Sequence, residues 1–308
     1  MLPLALVLDA VIGEPEPLWK RVPHPVVLMG RLVTMLDEGL NDGSYRRLRG
    51  VAALLILIGV CIAPALLLST SLFGGVPDVI IAAILLAQRS LVDHVLAVAS
   101  ALSRSVEEGR VAVAHIVGRD PGGLDEPAVA RAAVESAAEN FSDGVVAPAF
   151  WFLVAGLPGI VLYKAVNTAD SMIGHRTPRH EQFGWAAARL DDLLNLVPAR
   201  LAGLLIAGVG GGRAAIDVMV RDAWLHRSPN AGWPEAAMAA SLGLALAGPR
   251  YYAGALTDDP YLNPQGRSEA TPADIRSAVE ILWRAWAVLL GITAALWALG
   301  WIWGAVFG

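Results

Sequence analysis

Apolar residues in this chain fall into long uncharged blocks, and polar residues gather into short clusters between them. Two blocks are long enough to cross a hydrocarbon layer of about 30 Å at about 1.5 Å per helical residue. The first runs from Gly50 to Pro77. It opens after Tyr45-Arg46-Arg47-Leu48-Arg49 and closes on the turn signature Phe73-Gly74-Gly75-Val76-Pro77. The second runs from Ala285 to Gly308 and carries Trp286, Trp297, Trp301 and Trp303, of which the later ones fit a headgroup anchor.

Segments 79–101, 144–163, 201–212 and 236–249 are less simple. Within 79–101, Arg89, Asp93 and His94 make a polar face, so a buried amphipathic helix fits as readily as a span. Gly156-Leu157-Pro158-Gly159 breaks 144–163 into pieces too short to cross. Segment 201–212 is too short and 236–249 is marginal. These read as re-entrant, interfacial or core helices. Loops are expected at Gly118–Gly123 and Leu256–Gly266, strand alternation is scarce, and the chain reads as helical throughout. The pattern predicts an all-α, polytopic integral membrane protein, one membrane-embedded domain over 1–308 with a motif-rich core at 135–235.

Cations set the orientation, because cytoplasmic loops hold an excess of Lys and Arg. Arg46, Arg47 and Arg49 place the front of the first span in the cytoplasm, and Arg276 and Arg284 do so for the last. Lys164, Arg176, Arg179, Arg189 and Arg200 are expected on the same side. A re-entrant hairpin at 144–163 reconciles this with cytoplasmic cations at Arg104–Arg131. The start, MLPLALVLDAVIGEP, has no positive n-region and carries Asp9 inside its apolar stretch, so no cleavable signal is expected.

Composition agrees with a membrane setting. The residues AVILMFWYC make up 56% of the 308 residues, with 31 glycines besides, against about 45–50% for soluble domains on a set that includes glycine. A net charge of −5 argues against a nucleic-acid partner. Lysine is scarce, only Lys20 and Lys164, which leaves little room for Schiff-base chemistry. The lone Cys61 excludes an intrachain disulfide and a cysteine zinc site.

The polar clusters carry the candidate chemistry, since a chain so poor in charge places it selectively. In Glu135-Ser136-Ala137-Ala138-Glu139-Asn140-Phe141-Ser142-Asp143-Gly144, a helix puts Glu135, Glu139 and Asp143 on one face. Like charges at that spacing repel, so Mg²⁺ or arginine is expected to offset them; a solvated helix end capped at Gly144 is the plainer alternative. In Lys164-Ala165-Val166-Asn167-Thr168-Ala169-Asp170-Ser171, the polar side chains Asn167, Asp170 and Ser171 share a face that Lys164 extends. Oxygen ligands beside an ammonium suit a metal-bound phosphate, or else a cap and ion pair.

Arg189-Leu190-Asp191-Asp192-Leu193-Leu194-Asn195 closes at Pro198-Ala199-Arg200; one aspartate is expected to join a site and the other to pair with Arg189 or Arg200. His226-Arg227-Ser228-Pro229-Asn230-Ala231-Gly232-Trp233-Pro234-Glu235 reads as a loop feeding a helix N-terminus, a natural anion site that Arg227 strengthens. His24, in Val22-Pro23-His24-Pro25, is either structural or a substrate-side contact. No GxxxxGK[ST], HExxH or GxSxG motif occurs.

Taken together, HPVxxMGR, ESxAENxSDGxxAPxFW, PGxxxYKAxNTxDSMIG, FGWxAARLDDxxNxxPAR and HRSPNAGWPEAAMA resemble the adenosylcobinamide-phosphate synthases (cobinamide synthases) of cobalamin biosynthesis. The resemblance extends from near residue 5 to near residue 255. It departs at Ala137, where Thr is expected, and at His175-Arg176, where Tyr-Lys is more usual.

The resemblance implies a ligase of the bacterial inner membrane, and the cation count places its site on the cytoplasmic side. It joins adenosylcobyric acid to 1-aminopropan-2-ol phosphate or ethanolamine phosphate, using ATP and Mg²⁺ and passing through an acyl phosphate. Other cobalamin-assembly enzymes are expected neighbours. On that reading Glu139, Asp143, Asp170, Asp191 and Asp192 are metal candidates, and Glu135 is a candidate base. Asn140, Asn167 and Ser171 orient ligands. Lys164, Arg189, Arg227, Ser228, Asn230, Gly232 and His24 lie on the substrate and phosphate side. A corrinoid transporter or scaffold and a CDP-alcohol phosphotransferase-like enzyme are the rival readings. The first lacks a visible repeat, and the second needs an Ala-Arg where Ala147-Pro148 stands.

Overall fold

The computed structural model describes residues 1–69, 75–118, 120–252 and 255–307. Thirteen α-helices are described: α1 (Leu2–Ile12), α2 (Glu16–Trp19), α3 (Pro25–Leu40), α4 (Arg46–Ser69), α5 (Val76–Leu85), α6 (Gln88–Leu102), α7 (Val106–Val113), α8 (Glu126–Phe141), α9 (Ala147–Ile173), α10 (Trp185–Gly210), α11 (Gly212–Asp222), α12 (Gly232–Leu242) and α13 (Pro272–Phe307). A π-helical turn over Ser142–Val146 joins α8 to α9. Two small antiparallel pairings interrupt the helical pattern: β1 (Leu246–Ala247) with β4 (Tyr261–Leu262), and β2 (Arg250–Tyr252) with β3 (Ala255–Thr257). Among the described residues, five helical stretches are long and apolar enough to cross a membrane: Arg46–Ser69, Val76–Leu102, Glu126–Ile173, Trp185–Gly210 and Pro272–Gly300. The protein is all-α and polytopic.

Packing divides the chain into two compact units. The first holds Met1–Ala87 and Ala147–Asn195. In it α4, α3 and α5 all pack on α9, and α1 packs on α5. The α4 helix comes so close to residue 183 that a Cβ on Gly50 would stand 1.9 Å from the Phe183 carbonyl oxygen. His24 starts α3: its Nδ1 accepts the Val26 N–H at 3.2 Å. At the other end of α3, Arg179 donates to Asp37 at 2.7 Å, and His180 lies 3.3 Å from the same oxygen. Burial pushes the Asp37 carboxyl upward, but the hydrogen bonds from Arg179, Asn41 and His180 outweigh it and hold the group below the usual aspartate value.

The second unit holds Gln88–Val146 and Leu196–Gly308. Its centre is α8, where Val129, Ala130, Ala132, Ala133, Val134, Ala137 and Ala138 are buried. Their small volume lets α6, α7, α12 and α13 pack on one helix. Residues 210 and 211 face Ser241 closely, where a Cβ on Gly210 would meet its Oγ at 2.4 Å.

Several boundaries differ from the sequence reading. The first span starts at Arg46 and is described as helix to Ser69; residues 70–74, with Phe73 and Gly74 of the expected turn, lie outside the described residues, and Pro77 belongs to α5. The last helix starts at Pro272, well before Ala285. Segment 79–101 is two helices, because Leu86 takes an extended ψ of 159° and stops α5. Segment 201–212 is the second half of α10, which runs through Pro198. Segment 236–249 is no span: α12 ends at Leu242 on a left-handed Gly243, and β1 follows.

Within 144–163 the helix breaks at Ala155 (φ −140°, ψ 21°) and Gly156 (φ 60°, ψ −149°). Eight residues of continuous helix cover about 12 Å, yet a Cβ on Gly159 would stand 2.2 Å from the Trp151 carbonyl oxygen. The Trp151 indole N–H donates to Leu194 O at 3.0 Å, and the Tyr163 hydroxyl reaches Asn195, the next residue of α10. The chain turns sharply here, as the Gly-Leu-Pro-Gly sequence led one to expect.

Candidate functional site

In the first unit, polar side chains of α9 face the start of α10. Asn167 donates to Asp191 Oδ1 at 3.3 Å, Asn195 donates to Asp191 Oδ2 at 2.9 Å, and the Tyr163 hydroxyl donates to Asn195 Oδ1 at 3.0 Å. Tyr163 pairs with 195 and Asn167 with 191, so the two helices run antiparallel here. Asp191 is 8% exposed and Asn195 1%. Asp170 lies within electrostatic range of Asp191 and adds a second carboxylate. Its position depends on Gly174, where a Cβ would stand 1.9 Å from Asp170 Oδ1.

The same unit holds the candidates Lys164, His24, Ser171 and Asp192. Lys164 is half-buried and close enough to act on the charge of His24. Both His24 nitrogens are engaged, Nδ1 by the Val26 N–H and Nε2 by Ile84 O at 3.1 Å, and Trp19 packs edge-on at 4.6 Å. Burial, more than any other influence, holds the His24 imidazole below its ordinary value, and the Lys164 charge adds to that. The Glu14 charge and the Ile84 carbonyl act the other way. The structure thus gives His24 a capping role. Ser171 is exposed, its hydroxyl turned back to Asn167 O at 2.9 Å. Asp192 faces Arg189 at 3.5 Å.

In the second unit, the acidic run on α8 does not keep a common environment. Glu135 is buried and accepts the Ala247 N–H at 2.8 Å, while Glu139 and Asn140 are exposed. Asp143 falls in the π turn, whose wider pitch takes it out of the α-helical step that the i, i+4, i+8 spacing assumes. Asn140 donates to Ser136 O at 2.8 Å, and Ser136 donates to Ile116 O at 2.5 Å.

The His226–Glu235 run forms the loop that enters α12. The Ser228 hydroxyl oxygen accepts the N–H groups of Asn230 and Ala231, each at 3.2 Å, and His226 Nδ1 accepts that of Ser228 at 3.1 Å. Asn230 is buried, and Gly232 is required by contact, since a Cβ there would stand 2.2 Å from Ala223 O. Arg227 donates to Asp259 at 2.5 Å. Arg200 stacks over Trp233 at 4.5 Å, with Trp224 5.1 Å from Trp233.

Tyr163, Asn195 and Asp259 were not singled out by the sequence reading. Asn195 had a signal, an amide one helical turn after Asp191; Tyr163 and Asp259 had none short of the fold. Among the described residues no three His, Cys, Asp or Glu side chains converge on a point that could hold a metal ion. Mg²⁺ does not need such a cage, because it takes one or two carboxylates and completes its shell with water and phosphate oxygens. Asp191, with Asp170 acting on its charge, supplies that number of carboxylates.

These features define a polytopic helical membrane protein whose buried carboxylates and amides lie between apolar helices. The sequence matches the CobD/Cbib protein family over residues 2–282, and the chain belongs to that family. A relative from Sinorhizobium fredii (strain NBRC 101917 / NGR234), named "Cobalamin biosynthesis protein CobD", is 51% identical over 312 residues, covering 96% of both chains. Relatives of the same name from Brucella suis (50%, covering 96% of this chain and 95% of its own) and Rhodobacter capsulatus (51%, 97% and 98%) are similarly close. No solved structure matches the chain.

Proposed function

We propose that this chain is an enzyme of cobalamin biosynthesis, an ATP-dependent amide ligase. It joins the free propionate of adenosylcobyric acid to the amine of 1-aminopropan-2-ol phosphate or ethanolamine phosphate. The carrying observation is family membership, with relatives named for cobalamin biosynthesis matching about 96% of the chain. The paired Asp170 and Asp191 beside Asn167 support the phosphate chemistry.

A carboxylate and an amine do not condense in water without activation. The propionate oxygen attacks the γ-phosphorus of ATP, the bond to ADP breaks, and an acyl phosphate forms. The amine then attacks the acyl carbon, phosphate leaves, and the nitrogen loses its proton to that phosphate or to a nearby carboxylate. Asp170 and Asp191 would hold Mg²⁺, which would supply positive charge to the transferring phosphoryl group. Lys164 would supply a further positive charge to the nucleotide phosphates. Within the second unit, taken by itself, Arg227, Ser228 and the N-terminus of α12 would be candidates for holding a phosphate group, and Glu139 and Asp143 are its carboxylate candidates. The enzyme would sit in the bacterial inner membrane with this chemistry on the cytoplasmic side.

Alanine at Asp143 or Asp170 is the test of these assignments. Each should abolish turnover while leaving folded protein in the membrane; retained turnover removes that residue from the machinery.

A further inference from the structure

We propose that Tyr163 and Asn195 are positioning residues that hold the Asp191 carboxylate in place for a divalent cation bound with nucleotide. The inference rests on the ligase reading above and extends it to two residues that touch no substrate.

The hydrogen bonds run one way through the group. The Asn195 amide turns its Nδ2 toward Asp191 Oδ2, at 2.9 Å. Its Oδ1 then faces Tyr163, and the hydroxyl is the donor, at 3.0 Å. Asn167 meets the other oxygen of Asp191 at 3.3 Å. The carboxylate plane is thus held from both sides, leaving lone pairs on each oxygen.

Such an arrangement costs stability unless it serves something. Tyr163 is 0% exposed, Asn195 1% and Asp191 8%, between apolar helices. Asp191 is held by the amides of Asn167 and Asn195, and a second acid, Asp170, acts on its charge. Amides alone soften the burial of a carboxylate but do not neutralise it. A cation between Asp170 and Asp191 would.

Tyr163→Phe removes one oxygen and keeps the ring volume; Asn195→Leu is the nearly isosteric second variant should the first fail to fold. The full chain in lipid nanodiscs is titrated with Mn²⁺ in the presence of ATP, bound ion being read by electron paramagnetic resonance. The ligase reaction is followed as a function of Mg²⁺. Either variant should weaken Mn²⁺ binding about fivefold to tenfold and raise the Mg²⁺ concentration for half-maximal rate by a similar factor. The double variant should be no worse than Asn195→Leu. Unchanged Mn²⁺ binding in both variants, with Asp191→Asn losing it, overturns the relay alone. Unchanged binding and activity in Asp191→Asn overturns the cation assignment on which the relay rests.

Discussion

Glu135 Oε1 accepts the backbone N–H of Ala247 at 2.8 Å, pinning the first strand after α12 to the buried face of α8. Ala247 has φ +59°, a conformation that non-glycine residues adopt at a cost, so this contact holds a strained backbone position. Glutamine in place of Glu135 keeps the accepting oxygen and should retain most of the activity. Leucine leaves the N–H unsatisfied and should cost about 1–3 kcal/mol of stability. Thermal unfolding in detergent, beside turnover, reads both. Loss of turnover in Glu135→Gln with normal stability would give the carboxylate a chemical role.

Gly174 protects the Asp170 carboxylate. A Cβ there would overlap Asp170 Oδ1 at 1.9 Å, so Gly174→Ala must displace the acid. If Asp170 holds the cation, Gly174→Ala should lower kcat at least tenfold at fixed Mg²⁺ and be partly rescued by excess Mg²⁺. An unchanged rate would place Asp170 outside the chemistry.

His24 caps α3 through a neutral nitrogen, because only an unprotonated Nδ1 accepts the Val26 N–H. Its folded value lies below 6.5, so between those two values the unfolded chain binds more protons and folding weakens as pH falls. Wild-type protein should lose thermal stability as pH drops through about 6.5, with the loss levelling off below the folded value. His24→Asn keeps a capping oxygen and should remove this dependence. The Asp37 contribution acts lower, being present above about 3.8 and lost as pH falls through its depressed folded value.

Gly156 holds the sharp turn with φ 60° and ψ −149°, a region open essentially to glycine alone. Alanine there should cost about 1–3 kcal/mol and reduce the yield of folded protein. Gly208, which has nothing within 4 Å of an added Cβ, should tolerate the same change.

The blocks of apolar residues made the helical membrane class legible, and Gly-Leu-Pro-Gly made the turn at 156 legible. Helix ends were harder. Arg276 and Arg284 read as flanking the front of the last span, yet α13 starts at Pro272 and carries both, with Arg284 3.7 Å from Glu280 along its exposed face. Pro198 read as a closure, yet α10 continues through it, since one missing N–H is tolerated in a helix packed on its neighbours. The π turn at Ser142–Val146, where Asp143 lies, leaves no mark in the residue pattern. Asp191, Asp192 and Asn195 were all visible, but only the antiparallel approach of α9 shows which acid is held and by which amides.

The ligase reaction itself is the central claim. Purified protein in nanodiscs is given adenosylcobyric acid, 1-aminopropan-2-ol phosphate and Mg-ATP, and the corrinoid is followed by mass spectrometry. Formation of adenosylcobinamide phosphate, one for each ATP converted to ADP and absent without ATP, is the expected result. Folded protein that consumes no ATP and leaves the corrinoid unchanged would contradict the account.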